Sequence, residues 1–175
     1  MRAIGIAGWS GAGKTTLVTR LIPCLVARGL KVSTVKHAHH DFDVDQPGKD
    51  SHTHRMAGAS EVLVASARRF VIVHELRDEP ERPLAALLPK LEPVDVVIVE
   101  GFKRGPQPKL EVYRAELGKP PLHPDDPLIV AVVSNDLLPD ARIPIIPLAD
   151  IEAVADAVLR DATPIQQLIA ERGKL

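Results

Sequence analysis

A chain of 175 residues is long enough for one domain with a buried core and needs no covalent staple to hold it. Its 22 basic residues against 23 acidic ones exclude the strongly basic field expected of a nucleic-acid binder, and the 3% aromatic content disfavours a base-stacking platform. The lone Cys24 excludes an internal disulfide, no stretch reaches membrane-spanning length, and the first residues enter a strand at once; these features predict a cytoplasmic protein with no membrane contact.

Strand and helix patterns alternate from the start, which predicts an α/β fold with a mainly parallel sheet and helices on both faces. A first strand over 2–8 carries Ala3-Ile4-Gly5-Ile6-Ala7. Gly8-Trp9-Ser10-Gly11-Ala12-Gly13-Lys14-Thr15 follows, the G-x-x-x-x-G-K-[ST] pattern of a phosphate-binding P-loop. Glycines let successive backbone N–H groups turn inward around phosphate oxygens, where side chains would block the approach. Lys14 brings a compact positive charge to the β- and γ-phosphates, and the Thr15 hydroxyl suits Mg²⁺. A helix over 14–28 then aims its dipole at the anion, with Leu17, Val18, Leu21, Ile22, Leu25 and Val26 on its core face. Trp9 packs beside or covers the site.

A second strand, 31–36, ends at Lys36 and His37. The polar stretch from His37 to Thr53 admits several readings. Its histidines match no ordinary zinc spacing and have no cysteine to help them. A switch-like loop is favoured, in which Asp41 and Asp50 approach Mg²⁺ while Lys36, His37 and His39 approach phosphate or substrate. Asp43 and Asp45 read as solvated. A short helix is expected over 51–58. Glu61–Ala65 and Phe70–Val73 flank Ser66-Ala67-Arg68-Arg69 as a hairpin, giving antiparallel pairing at one side of the sheet. Pro83 opens a helix over 83–91.

Asp95-Val96-Val97-Ile98-Val99-Glu100-Gly101 is a buried strand ending in an acid, like a Walker B strand with glutamate in place of aspartate. Lys14 and Glu100 are therefore the candidate catalytic pair, and Thr15, Glu100 and Asp50 the candidate metal ligands. Lys103 and Arg104 either add charge against phosphates or sit on the surface. Lys109 to Arg114 alternates like a half-exposed strand, and its edge, with that of the hairpin, could accept another chain. Residues 115–127 read as proline-rich loop. A strand over 128–133 leads to Ser134-Asn135-Asp136, where Asp136 either accepts from guanine or forms an ordinary turn. Without an Asn/Thr-Lys-x-Asp motif, spacing leaves GTP and ATP both open. A last strand lies within Ile143 to Leu148. Asp150 caps a helix over 151–160, and Thr163-Pro164 starts a final one. The whole chain, 1–175, reads as a single nucleotide-binding domain. In open α/β sheets ligands lie beyond the carboxyl ends of the strands, where these polar clusters fall.

Together the P-loop, Lys36-His37-Ala38-His39-His40-Asp41 with Asp43 and Asp45, Pro47-Gly48-Lys49-Asp50-Ser51, Ala57-Gly58-Ala59, Val64-Ala65-Ser66 and Val97-Ile98-Val99-Glu100-Gly101-Phe102-Lys103 resemble the MobB family, the molybdopterin-guanine dinucleotide biosynthesis adapters. The resemblance spans about residues 1–136. It implies a GTP-binding, weakly GTP-hydrolysing protein using Mg²⁺. Such a protein assists the guanylyltransferase that joins GMP to molybdopterin in molybdenum cofactor biosynthesis. It implies a homodimer with a shared extended segment, a nucleotide site at Gly11 through Thr16, extended here to Gly8 and Ser10, and Glu100 as the metal-side acid. A P-loop small-molecule kinase using ATP or GTP is the alternative.

Overall fold

The computed structural model describes residues 1–38 and 42–170. The chain divides into two compact units, one of Met1–His37 with the chain from Pro83 onward, the other of Ala38–Arg82.

In the first unit the strands β1 (Arg2–Ala7), β2 (Val32–Lys36), β5 (Val96–Glu100), β6 (Lys109–Val112), β7 (Ile129–Val133) and β8 (Ile145–Ile146) lie in the order β2-β5-β1-β6-β7-β8. All of these neighbours are parallel. Successive side chains of a strand point to opposite faces, so a strand covered on both sides becomes a continuous apolar run. Ile4, Ile6, Val96, Ile98, Leu110 and Val112 meet Leu17, Leu21 and Leu25 of α1 (Lys14–Ala27) and Val154 and Val158 of α4 (Ile151–Asp161). On the other face Ala3, Val97 and Val99 meet Leu84 of α3 (Leu84–Leu87), Leu88, and Ile165 and Leu168 of α5 (Ile165–Ala170). The expected doubly covered parallel sheet is therefore present.

Several local expectations are corrected. The helix predicted over 83–91 is a four-residue α-turn followed by a 3₁₀ turn at Leu88–Lys90, because Pro89 has no N–H to continue the ladder. Thr163-Pro164 forms a bridge strand, β9, antiparallel to Arg2 and Ala3, and the last helix begins only at Ile165. Most consequential is β6. It lies between β1 and β7, so it offers no edge, and all four of its residues are buried. Lys109 pairs with Asp126 at 3.2 Å, and Gly5 leaves room for it, since a Cβ there would come within 2.9 Å of Lys109 Cγ.

The second unit contains α2 (Asp50–Met56), β3 (Glu61–Ala65) and β4 (Phe70–His74). β3 and β4 form their own two-stranded antiparallel sheet rather than a side of the main one. Ser66 closes the hairpin: its hydroxyl accepts from the N–H groups of Arg68 and Arg69. Asp43 and Asp45, expected to be solvated, are held by Arg55. The guanidinium grips both oxygens of Asp43, at 3.0 and 2.8 Å, and lies 3.7 Å from Asp45 and 3.3 Å from Glu75. Asp45 Oδ1 accepts from the Ser51 hydroxyl at 2.8 Å.

Candidate nucleotide site

β1 sends its connection to β2 on one side of the sheet, whereas the neighbouring β6 sends its own to β7 on the other. The crevice between two diverging connections is where open α/β sheets bind ligands. The P-loop leaves β1 at this point. Gly8, Gly11 and Gly13 all have positive φ, at 139°, 84° and 95°. Gly8 is also obligatory on space, because a Cβ would come within 2.5 Å of the Val112 carbonyl oxygen. Among the described residues nothing accepts from the N–H groups of Ser10, Gly11 and Gly13. Gly13 caps α1 without a side-chain hydrogen bond, and the first turn of the helix carries no acid. The loop thus keeps open donors at a positive helix end.

Lys14 Nζ turns onto the loop itself, donating to the carbonyls of Gly8 at 3.0 Å and Trp9 at 2.9 Å. Burial pushes its pKa below the ordinary lysine value; Glu100 opposes this, and the like charges of Lys103 and Lys36 add to it. Thr15 Oγ1 donates to Glu100 Oε1 at 3.1 Å. A hydroxyl and a carboxylate at that separation, beside an open phosphate cradle, suit Mg²⁺, a hard ion taken up by oxygen donors and substrate phosphates. Ser10 within the motif and Thr16 just beyond it are both exposed.

The other candidates divide. His37 follows the exposed Lys36 at the end of β2, donates its N–H to the Glu100 carbonyl at 2.8 Å and packs its ring on Phe102, centroids 4.7 Å apart. Gly101 permits this contact, since a Cβ there would come within 2.6 Å of His37 Cβ. Lys103 lies 4.9 Å above the Trp9 ring, with Lys119 at 5.9 Å, and the indole N–H donates to the Pro120 carbonyl at 2.8 Å. Asp136 Oδ2 accepts from the Ala115 N–H at 2.7 Å. Asp50 opens α2 and is described with the second unit. His39 and Asp41 lie outside the described residues.

One contact was not anticipated. Arg114 Nε donates to the Ala12 carbonyl at 3.1 Å. Arg114 follows a strand that ends beside the P-loop, so the rule about carboxyl strand ends could have flagged it.

A P-loop on β1 with an acid ending the adjacent β5 defines a P-loop NTPase-like α/β protein. The model of the molybdopterin guanine dinucleotide synthesis protein B family, MobB, matches residues 3–135. The chain belongs to that family. It is 39% identical over 161 residues to the molybdopterin-guanine dinucleotide biosynthesis adapter protein of Escherichia coli strain K12, covering 89% of this chain and 90% of that one. It is 42% identical over 132 residues to the protein of that name from Haemophilus influenzae, covering 75% and 74%. A crystal structure of a molybdopterin-guanine biosynthesis protein B superposes with a TM-score of 0.68 at 28% identity, covering 90% of this chain and 98% of that one. Bacillus subtilis MobB shares the fold, with a TM-score of 0.70 at 22% identity over 93% and 99%. Among the described residues no helix is long and apolar enough to cross a membrane.

Proposed function

We propose that the protein is a GTP-binding, weakly GTP-hydrolysing adapter for the guanylyltransferase that attaches GMP to molybdopterin. The observation that carries the reading is the Thr15–Glu100 contact at 3.1 Å beside a P-loop with open N–H donors. In it, the N–H groups of Ser10, Gly11 and Gly13 and the start of α1 hold phosphate oxygens, and Lys14 swings from the Gly8 and Trp9 carbonyls onto the β,γ-phosphates. Thr15 and Glu100 would hold Mg²⁺, which supplies charge neutralisation at those phosphates. Asp136 accepts from the guanine N–H groups with its second oxygen while Ala115 fixes the first. Lys36, His37 and Lys103 line the approach. The whole chain acts as one nucleotide-binding domain into which residues 38–82 are inserted, and it works as a homodimer. Family membership supports the adapter over a small-molecule kinase; Arg68 and Arg69, which a kinase lid would need, lie in a hairpin turn.

The test is calorimetric. Wild-type protein with Mg²⁺ takes up GTP, and Lys14→Ala, which removes the charge but not the loop, weakens that uptake by about tenfold or more. A pull-down of the guanylyltransferase that responds to GTP supports the adapter role. Equal GTP uptake by both proteins sinks the P-loop assignment, and phosphate transfer to a small molecule would turn the reading to a kinase.

A further inference from the structure

The segment from Val112 to Pro120 backs the P-loop along its length. The Val112 carbonyl lies against Gly8, Leu117 Cδ2 sits 3.5 Å from where a Gly11 Cβ would be, and the Pro120 carbonyl takes the Trp9 indole N–H. Arg114 is the charged member of this brace. Its Nε donates to the Ala12 carbonyl at 3.1 Å, and Nε and Nη2 each lie 3.6 Å from the position of a Gly13 Cβ. Glu116 takes Nη1 at 3.3 Å, and the side chain is 39% exposed. The Ala12 carbonyl and the Gly13 N–H belong to one peptide unit and point in opposite directions. With the carbonyl held by a cation, the N–H faces away from the brace, and no described residue accepts from it.

We propose that Arg114 is a positioning residue for phosphate binding, acting through the Gly13 N–H. A charged donor on a carbonyl polarises the whole amide, so the N–H at its other end becomes a stronger donor, and hydrogen bonds in a chain reinforce one another. The same contact fixes the peptide plane before a ligand arrives, which removes part of the ordering cost of binding. The ligand class is a nucleotide carrying at least two phosphates, because the loop amides cradle the α/β-phosphates. Asp136 extends the arrangement: its carboxylate holds the N–H of Ala115, the residue next to Arg114, at 2.7 Å. The acid on the base side is therefore hydrogen-bonded to the residue that follows the cation behind the loop. The inference rests on the nucleotide reading above and adds to it a residue outside the P-loop motif.

The experiment is displacement of methylanthraniloyl-labelled GDP by GTP and by guanosine. Arg114→Gln is expected to weaken GTP by about tenfold, the scale of one charged hydrogen bond, and to leave guanosine unmoved. Arg114→Lys, which retains a charged donor, is expected to restore part of the loss. Unchanged GTP affinity, or an equal loss for guanosine with no rescue by lysine, overturns the proposal. If Arg114→Gln does not fold, Glu116→Gln on an exposed side chain carries the test. Freed of that neighbour, Arg114 should tighten GTP about twofold and leave guanosine alone, and unchanged or weaker GTP binding overturns the proposal. Lys14→Ala separates the two failures. If it loses GTP while the Arg114 variants do not, only this inference falls; if the wild type takes up no GTP, both fall.

Discussion

Glu111 Oε2 accepts both the backbone N–H of His123, at 2.9 Å, and that residue's ring Nδ1, at 3.1 Å. Its other oxygen accepts from the Leu122 N–H at 2.6 Å, and the residue is wholly buried in the middle of a parallel sheet. A carboxylate there is tolerable only because donors surround it. The sequence pattern Lys109-Leu110-Glu111-Val112 alternates like a half-exposed strand because these donors lie more than ten residues away, in a stretch that reads as plain loop.

Glu111→Gln keeps the shape but turns an amide NH₂ toward N–H groups, leaving buried donors opposed. It should cost about 1–3 kcal/mol of stability in urea unfolding. Because the loop it anchors also holds Trp9 through Pro120, the emission of this sole tryptophan should change before unfolding begins. A variant with the wild-type urea midpoint and emission would show that Glu111 is dispensable as an anchor.

Thr15 and Glu100 carry the prediction about metal. Glu100→Gln retains a hydrogen-bond acceptor for the Thr15 hydroxyl and removes the charge that Mg²⁺ needs. Turnover of GTP and the Mg²⁺-dependent gain in GTP affinity should both fall by about tenfold or more, while metal-free nucleotide binding stays near the wild type. Hydrolysis matching the parent across a Mg²⁺ titration would remove Glu100 from the metal side.

What is legible in the sequence follows from how local its causes are. The P-loop is a contiguous pattern and β5 a contiguous apolar run ending in Glu100, so the strand–loop–helix unit and the buried strand both lie where the sequence puts them. The main parallel sheet follows from the alternation of such runs with helical periodicity. The features missed depend on partners far along the chain. Lys109 is buried because Asp126 meets it, and Asp43, though exposed, is ordered because Arg55 grips both its oxygens. Arg114 donates to a carbonyl 102 positions earlier in the chain. Pro89 and Pro164 show a different limit: the residue type marks a boundary, but packing decides whether a 3₁₀ turn or a strand bridge follows.

The Arg55 cluster makes a prediction about acid. Hydrogen bonds from Arg55 hold the Asp43 carboxyl below the usual aspartate range, with the Asp45 N–H adding to the effect. A carboxyl whose folded pKa is lowered binds fewer protons folded than unfolded. Its stabilisation is therefore fully present above the unfolded value and is lost as pH falls through the folded one. Residues 42–48 should loosen on acidification below about pH 4. Asp43→Asn should give the loosened state already at neutral pH, read as faster amide exchange across the segment. Equal protection in wild type and Asp43→Asn at neutral pH would show that the ion pair does not order it.

The hairpin makes the prediction about assembly. Among the described residues β3 and β4 pair only with each other, so each keeps an outer edge. By register Leu63 faces Ile72, and Ala65 faces Phe70, on one side of the ribbon. Leu63, Phe70 and Ile72 are 60%, 61% and 50% exposed, a run of apolar side chains on one small sheet. Such a face with open edges needs a cover, and a second copy of the same ribbon supplies both the apolar surface and the missing strand partners. Light scattering at micromolar concentration should give twice the chain mass. Ile72→Lys places a charge at a half-exposed position, where the hairpin itself tolerates it, and should shift the protein to monomer while leaving GTP affinity unchanged. A wild-type monomer would remove the dimer. A dimer that survives Ile72→Lys together with Leu63→Lys would place the contact on another surface.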